Sequence, residues 1–375
     1  MGWRPAWAEV DLGAVRDNTA TLAGLAAPAR LCAVVKAEAY GHGAVAVARA
    51  ALDGGASSLA VAMVEEGAAL RGAGIDVPVL LLSEPPVSAL ADVIALGLTP
   101  TLYSHGGVEA AAKAVAAGGD GGRLAVHVKV DTGMHRVGAR PADAVGVALA
   151  ATERAELRLV GLWTHFAVAD APDDPFTTEQ HDRFCAVVRE LAERGVRPPV
   201  LHAANSAAAI AHPGTRHDLV RCGIALYGVP PSPALAGRVG LWPAMSLKAR
   251  VSQVKEVAAG EGISYGLRYR FERRSVVATV PLGYADGIPW RLAVTGGEVL
   301  VGGRRRPIAG SVTMDQITVD CGDDDTVAPG DEVVLLGRQG DESIDAWEWA
   351  GRLGTIAYEI ICGLGRRVPR IYLSA

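Results

Sequence analysis

Apolar, β-branched runs of four to eight residues recur through the first part of the chain, each followed by Gly, Pro or an Ala-rich stretch. Eight such runs read as strands, over residues 31–35, 59–64, 77–82, 98–102, 124–130, 157–163, 200–203 and 219–226. Between them apolar side chains return every three to four positions, as in VEEGAALRGAG, which is the spacing of one helix face. Strand and helix therefore alternate. Eight βα units in about 200 residues match a closed (β/α)8 barrel of the TIM type better than an open doubly wound sheet.

The texture changes after Pro230. PPSPALAGRVG is a turn-rich linker, and beyond it strand-like runs dominate, over residues 247–257, 275–280, 298–301, 317–319 and 332–336. WEWAGRLGTIAYEIICGLG reads as two short helices and RVPRIYL as a last strand. The expected organisation is a barrel over residues 1–230 and a C-terminal, mainly β domain over residues 231–375, with roughly the first ten residues pairing with the second domain.

Half of the 375 residues are apolar, and 36 basic against 41 acidic side chains leave a formal charge of −5. That is too near neutral for a nucleic-acid or anionic-membrane binder working by bulk charge, so a small-molecule partner is expected. No run approaches the roughly 18 apolar residues of a spanning helix, and MGWRPAWAEVDLG lacks the apolar centre of a signal peptide; the expected address is the cytoplasm. Cys32, Cys185, Cys222, Cys321 and Cys362 are widely spaced without a CxxC pair. They are expected to be reduced and buried, with neither a disulfide framework nor a metal site among them.

Reactive groups of a barrel collect at the carboxyl ends of its strands. Lys36 in VVKAEAYGHG stands just past the first run, Arg136 in KVDTGMHRVG past the fifth, His165 in THFAVAD past the sixth, and Asn205 and Ser206 past the seventh. Arg221 lies within the eighth, followed by Gly223 and Ile224. A lone lysine reads as a solvated strand cap. Drawn into an apolar mouth, its ammonium loses hydration and its pKa falls, which suits Schiff-base formation with a carbonyl cofactor such as pyridoxal phosphate. Many barrels hold a phosphate on the loops after strands seven and eight, and Ser206, Gly223 and Ile224 fit that place. His165 reads equally as a satisfied core histidine. Arg221 keeps its proton, so inside an apolar strand it must find acceptors such as a ring nitrogen, a carboxylate or a phosphate.

Ten motifs in order span nearly the whole chain: AEVDLGAVRDN, AVVKAEAYGHGA, HVKVDTGMHRVG, THFAVAD, AANSAAA, RCGIALYG, ISYGLRYR, VPLGYADG, TMDQITVD and TIAYEIICGLGRRVPRIY. In them the sequence resembles the alanine racemases, a family of fold-type III pyridoxal-phosphate enzymes. The resemblance implies that Lys36 carries the cofactor and handles the α-proton of the D-enantiomer. Tyr265, from the other subunit of a homodimer, would handle that of L-alanine. It further implies Arg136 and the Met314 backbone near the substrate carboxylate, with Asp315 and Tyr284 in the same set. Tyr40, Asn205, Ser206, Gly223, Ile224 and Tyr358 are implied on the cofactor, mostly at its phosphate, with His165 against the pyridine ring and Arg221 at its nitrogen. Lys129 takes the place where some members carry a carbamylated lysine that fixes Arg136. No metal is implied.

Taken singly, Tyr265 reads as a surface or interface aromatic, Met314 and Asp315 as strand-end packing, Tyr284 as a turn aromatic and Tyr358 as helix packing. What pairs Tyr265 with Lys36 is chemistry: inverting a stereocentre by proton exchange needs one base on each face of a planar carbanion. An arginine at the pyridine nitrogen would leave it unprotonated and limit transamination. Glu38 stands where Asn or Asp is commoner in the family, Thr313 where Cys is frequent and Ser311 where Arg is frequent; Trp290 is also unusual. These departures spare every proton carrier and bear on substrate scope. The expected function is interconversion of L- and D-alanine for peptidoglycan precursors. The alternatives are a broader-specificity racemase, a decarboxylase, against which Arg221 argues, and a non-catalytic pyridoxal-phosphate-binding protein, against which the β domain and Tyr265 argue.

Overall fold

Eight parallel strands carry the middle of the chain: Arg30–Val34, Ser58–Val61, Val79–Leu81, Thr101–Leu102, Leu124–Lys129, Leu157–Trp163, Val200–His202 and Leu219–Cys222. The computed structural model describes residues 4–118 and 121–373. The strands pair in two sets of four, the eighth beside the first three and the fourth to seventh together. Bridging between Leu80 and Thr99 closes one seam. Backbone bonds from Asp218 N–H to Leu201 O and from Arg221 N–H to Ala204 O, each 3.0 Å, close the other. The result is a (β/α)8 barrel, and its strands are near-continuous apolar runs because both faces are covered. Leu59, Ala60 and Val61 are all fully buried.

The barrel belongs to a unit made of Ala14–Ala39 and Ala44–Trp242; the other unit takes the chain up to Gly13, Tyr40–Gly43 and everything from Pro243. The barrel unit runs on to Trp242 because the buried Asn18 side chain accepts from Trp242 N–H (2.8 Å) and donates to Trp242 O (2.8 Å).

The run expected over residues 219–226 is shorter as a strand. It stops at Cys222, since the Gly223 N–H turns to the Ser206 hydroxyl (2.8 Å) and Ile224–Tyr227 wind into a 3-10 turn. Inside the barrel, Gly161 makes room for an imidazole: a Cβ there would lie 2.2 Å from His127 Nδ1.

In the second unit a seven-stranded sheet places Ala6–Asp11 antiparallel to Met245–Arg250 and parallel to Arg370–Leu373. The run over residues 247–257 divides between two sheets. Val251 N–H still bonds Asp331 O, whereas Ser252 N–H bonds Thr279 O, so Gln253–Val257 joins Ser275–Val280 and Ile317–Gly322 in a separate three-stranded sheet. Helices Ala346–Leu353 and Ala357–Cys362 and the strand Arg370–Leu373 complete this unit.

All five cysteines are free, but only Cys32, Cys222 and Cys321 are buried; Cys185 is half-buried and Cys362 exposed, against expectation. Among the described residues no helix is long and apolar enough to cross a membrane.

Candidate active site

Lys36 opens the helical segment Lys36–Gly41, in which Ala37, Glu38, Ala39 and Tyr40 have φ between +51° and +53°. The turn is left-handed, a conformation costing roughly 1–2 kcal/mol for each L-residue, so its surroundings must hold it. They do so through named bonds. Ala37 N–H donates to Glu66 Oε1 (2.6 Å), Ala39 N–H to Val35 O (2.9 Å) and Ala44 N–H to Glu38 Oε2 (3.3 Å). Glu66 also accepts from Ala62 and Met63 N–H, so one carboxylate ties the lysine's turn to the loop after the second barrel strand.

The other carboxyl-end residues of the barrel form a cationic cluster. Lys129 ends the fifth strand, 3% exposed, with its Nζ 4.3 Å from the Trp163 ring. Burial first, then Arg136, Arg221 and Lys36, bring its pKa down to about 7, opposed by Asp131. Burial and then the same cationic neighbours hold His165 well below the usual histidine value. Burial lowers Arg221 to about 10. Arg136 is exposed.

Arg221 donates through one terminal nitrogen to His202 Nδ1 (2.9 Å) and His202 O (3.1 Å). The other terminal nitrogen meets Thr164 O (2.8 Å), Ala203 O (2.9 Å) and His165 Nδ1 (3.3 Å). Its Nε–H is engaged by none of the described residues. Because Arg221 donates to Nδ1 of a neutral His202, that ring carries its proton on Nε2 and donates it to His127 Nδ1 (2.8 Å). Burial, its largest cause, pushes both histidines below the usual range and keeps them neutral, His127 at about 3. Trp163 stacks on His202 at 5.6 Å and lies under Arg221 at 4.6 Å. Asn205 caps the helix Ser206–Ala211 by accepting from Ala208 N–H (3.0 Å), so its amide oxygen serves the helix that presents Ser206.

In the second unit, Tyr265 is 77% exposed on a one-turn segment. Ser311, the departure from the family's arginine, donates to Tyr265 O (3.2 Å), and Ser264 donates to Ser311 O (3.1 Å). Thr313 bonds Gln316 O (2.8 Å) and lines with Tyr265 a cavity of about 490 Å³. Tyr284 N–H and Ala285 N–H bond Thr313 O and Met314 O, at 2.9 and 3.0 Å. Only glycine fits at Gly283, where a Cβ would sit 2.3 Å from Thr313 O. Buried Asp286 receives both terminal nitrogens of Arg4 (2.8 and 2.9 Å) and fixes this turn. Asp315 pairs with Arg367 (2.7 Å). Tyr40 and Tyr358 come together with ring centroids 6.2 Å apart. Trp290 is 46% exposed.

Sequence reasoning missed Glu66, His127, His202, Trp163, Asp286 and Arg4. Glu66 carried a signal, standing three residues after Met63 at the start of an apolar helix, where a capping glutamate is expected. The others are positioned by non-local contacts.

The donor set suits pyridoxal phosphate: a lysine on a constrained turn, an uncommitted Arg221 Nε–H, and Ser206 with Gly223 and Ile224 at the phosphate place of a barrel. Fold and site together define a pyridoxal-phosphate enzyme built on a (β/α)8 barrel with a β domain. Residues 10–231 match the family model "Alanine racemase, N-terminal domain" and residues 244–372 "Alanine racemase, C-terminal domain". The chain belongs to the alanine racemase family. It is 49% identical over 377 residues to the alanine racemase of Symbiobacterium thermophilum, covering 99% of this chain and 98% of that one. Its fold is similar to alanine racemase from D-cycloserine-producing Streptomyces lavendulae, with TM-score 0.94, 42% identity and coverage of 100% and 98%. It is likewise similar to the Bacillus anthracis enzyme with bound L-Ala-P, with TM-score 0.92, 40% identity and coverage of 100% and 96%.

Proposed function

We propose that this protein interconverts L- and D-alanine, using pyridoxal phosphate, as a homodimer in which Lys36 of one subunit works with Tyr265 of its partner. The observation that carries the reading is the cationic rim. Lys36, Arg136 and Arg221 all act on Lys129 there, opposed by Asp131, and the four cations together act on His165. Such a rim suits a ligand bearing a phosphate and a substrate bearing a carboxylate.

When bound, pyridoxal phosphate supplies an electron-withdrawing ring that acidifies the amino acid's Cα–H. Lys36 is the residue that would hold it covalently, and once the substrate's amine has displaced it, the freed Lys36 Nζ would take or return the α-proton on one face of Cα. The Tyr265 hydroxyl does the same on the other. Arg221 would offer its Nε–H to the ring nitrogen, and His165 would lie against the ring. Ser206, the backbone of Gly223 and Ile224, and the hydroxyls of Tyr40 and Tyr358 would hold the phosphate, with Asn205 capping the helix that presents Ser206. Arg136, the Met314 backbone and Tyr284 receive the substrate, while Asp315 acts through Arg367. A carbamate on Lys129 would place an anion beside Arg136 and hold it. The product, D-alanine, is a peptidoglycan building block, and five free cysteines fit work in the cytoplasm.

The test is Cα-proton exchange and optical rotation with L- and D-alanine in D2O, alongside a screen of larger L-amino acids. Borohydride should fix the cofactor on Lys36. Tyr265→Phe should slow removal of the α-proton from L-alanine by about 10²-fold or more and from D-alanine far less. Equal, small losses in both directions overturn the two-base assignment, and a protein that takes up no pyridoxal phosphate overturns the reading as a whole.

A further inference from the structure

The helix Phe176–Glu193 presents His181 and Cys185 one turn apart on one face. His217, held at φ +47° just before the eighth barrel strand, brings a third donor to them. His181 Nε2 lies 3.0 Å from His217 Nε2 and 3.5 Å from Cys185 Sγ, and all three donor atoms fall within 4.8 Å of one another. A tetrahedral ion with nitrogens at about 2.0–2.1 Å and sulfur at about 2.3 Å has its ligand atoms roughly 3.3–3.6 Å apart, a separation that the two distances made by His181 approach to within a few tenths of an ångström.

A hydrogen bond between two neutral imidazoles would explain the contact between the rings. It leaves a second observation unexplained. A cavity of about 230 Å³ beside His181 is lined by Thr177 and His212, and the Thr177 hydroxyl and His212 Nε2 are both buried without a hydrogen-bond partner in the chain. Thr177 is 1% exposed. Orphaned polar atoms of this kind ask for a bound group.

We propose that His181, Cys185 and His217 form a site for a borderline-to-soft divalent cation of the zinc class, with water as the fourth ligand on the side facing Thr177 and His212. The thiol releases its proton to solvent on binding, and the ion exchanges bulk water for two imidazole nitrogens and a thiolate. A donor set without a carboxylate disfavours magnesium and calcium. Phe166 and Phe184 pack against the two rings at 6.5 and 5.6 Å and give the site an apolar wall. The ion would tie the helix to the segment entering the strand of Arg221. That same helix carries Gln180, which donates to His165 O (3.2 Å) and accepts from Ala167 N–H (2.8 Å).

The experiment uses the full-length, cofactor-loaded protein after chelator treatment, titrated with Co²⁺ and then Zn²⁺ in the absence of alanine. One equivalent of Co²⁺ per chain should give intense tetrahedral d–d bands and a thiolate-to-metal charge-transfer band, both displaced by Zn²⁺. Cys185→Ala should abolish the charge-transfer band, and His181→Ala or His217→Ala should weaken binding by more than the ~10–100-fold that loss of an outer-sphere partner costs. Cys362→Ser should leave the spectrum unchanged. Zn²⁺ should raise the melting temperature of the parent but not of Cys185→Ala, which remains informative if a histidine variant folds poorly. A charge-transfer band that persists in Cys185→Ala, octahedral cobalt spectra, or saturation only at millimolar metal would overturn the site.

Discussion

At the residue scale, Lys129 makes a test that needs no substrate. Its amine titrates at about 7 in the fold against 10.5 as a free side chain. Below about pH 7 both folded and unfolded chains hold the proton, and the fold bears the full cost of a buried ammonium among cations. Between about pH 7 and 10 the unfolded chain still binds a proton that the fold has released, so stability rises with pH through that window. The rise amounts to at most about 5 kcal/mol at 1.36 kcal/mol per unit. Lys129→Met should flatten it, as checked by urea midpoints at about pH 6, 8 and 10 in buffer freed of carbon dioxide. An unchanged slope in the variant would assign the titration to another group. The same lowered pKa leaves much of the amine neutral near pH 7, the form that takes up carbon dioxide. A carbamate carbon should therefore appear in NMR spectra with carbon-13 bicarbonate and vanish in Lys129→Met.

At the scale of elements, the left-handed turn after the first barrel strand is where local preference and structure disagree most. Ala37 sits at φ +52° with its N–H committed to Glu66. Ala37→Gly relieves about 1–2 kcal/mol of strain and gives back about 0.5–1 kcal/mol of unfolded-chain entropy, so its stability should equal or slightly exceed the parent's. Ala37→Val adds a β-branch where that φ is least tolerated and should lose at least about 1 kcal/mol, with weaker cofactor fixation on Lys36. If thermal melts rank the two the other way round, the turn is not left-handed in solution. Nothing in KAEAYG announces this conformation, because alanine and glutamate are ordinary right-handed helix formers. The barrel strands, by contrast, were legible, since burial on both faces writes itself as apolar runs with glycine or proline between them. So was Arg221, whose permanent charge in such a run demands acceptors. What stayed hidden was non-local: the His127 and His202 relay behind Arg221, the division of residues 247–257 between two sheets, and His217 beside His181 and Cys185. The i,i+4 spacing of that last pair was visible, but the third donor arrives from a different element.

At the scale of the whole molecule, the second unit leaves several large apolar side chains open to solvent. Tyr265, Leu267, Tyr284, Trp290, Met314 and Ile356 are each at least 45% exposed, although they are large and apolar. Large exposed apolar groups on one unit mark an interaction surface, and in a two-fold dimer the same surface serves both subunits. If Tyr265 acts on the partner's Lys36, both defects fall in the same site of a mixed dimer. Homodimers of Lys36→Ala or of Tyr265→Ala lack one base in every site. A heterodimer of the two carries one site missing both bases and one missing neither. Random reassortment makes about half of the dimers mixed, so equal amounts of the two inactive proteins should recover about one quarter of the parent activity, and purified heterodimers about half. Recovery should vanish when the subunits are mixed without exchange, as followed by size and by differential tags. A mixture that exchanges subunits fully yet stays inactive would place both bases in one chain, and the exposure of Tyr265 would then need another explanation.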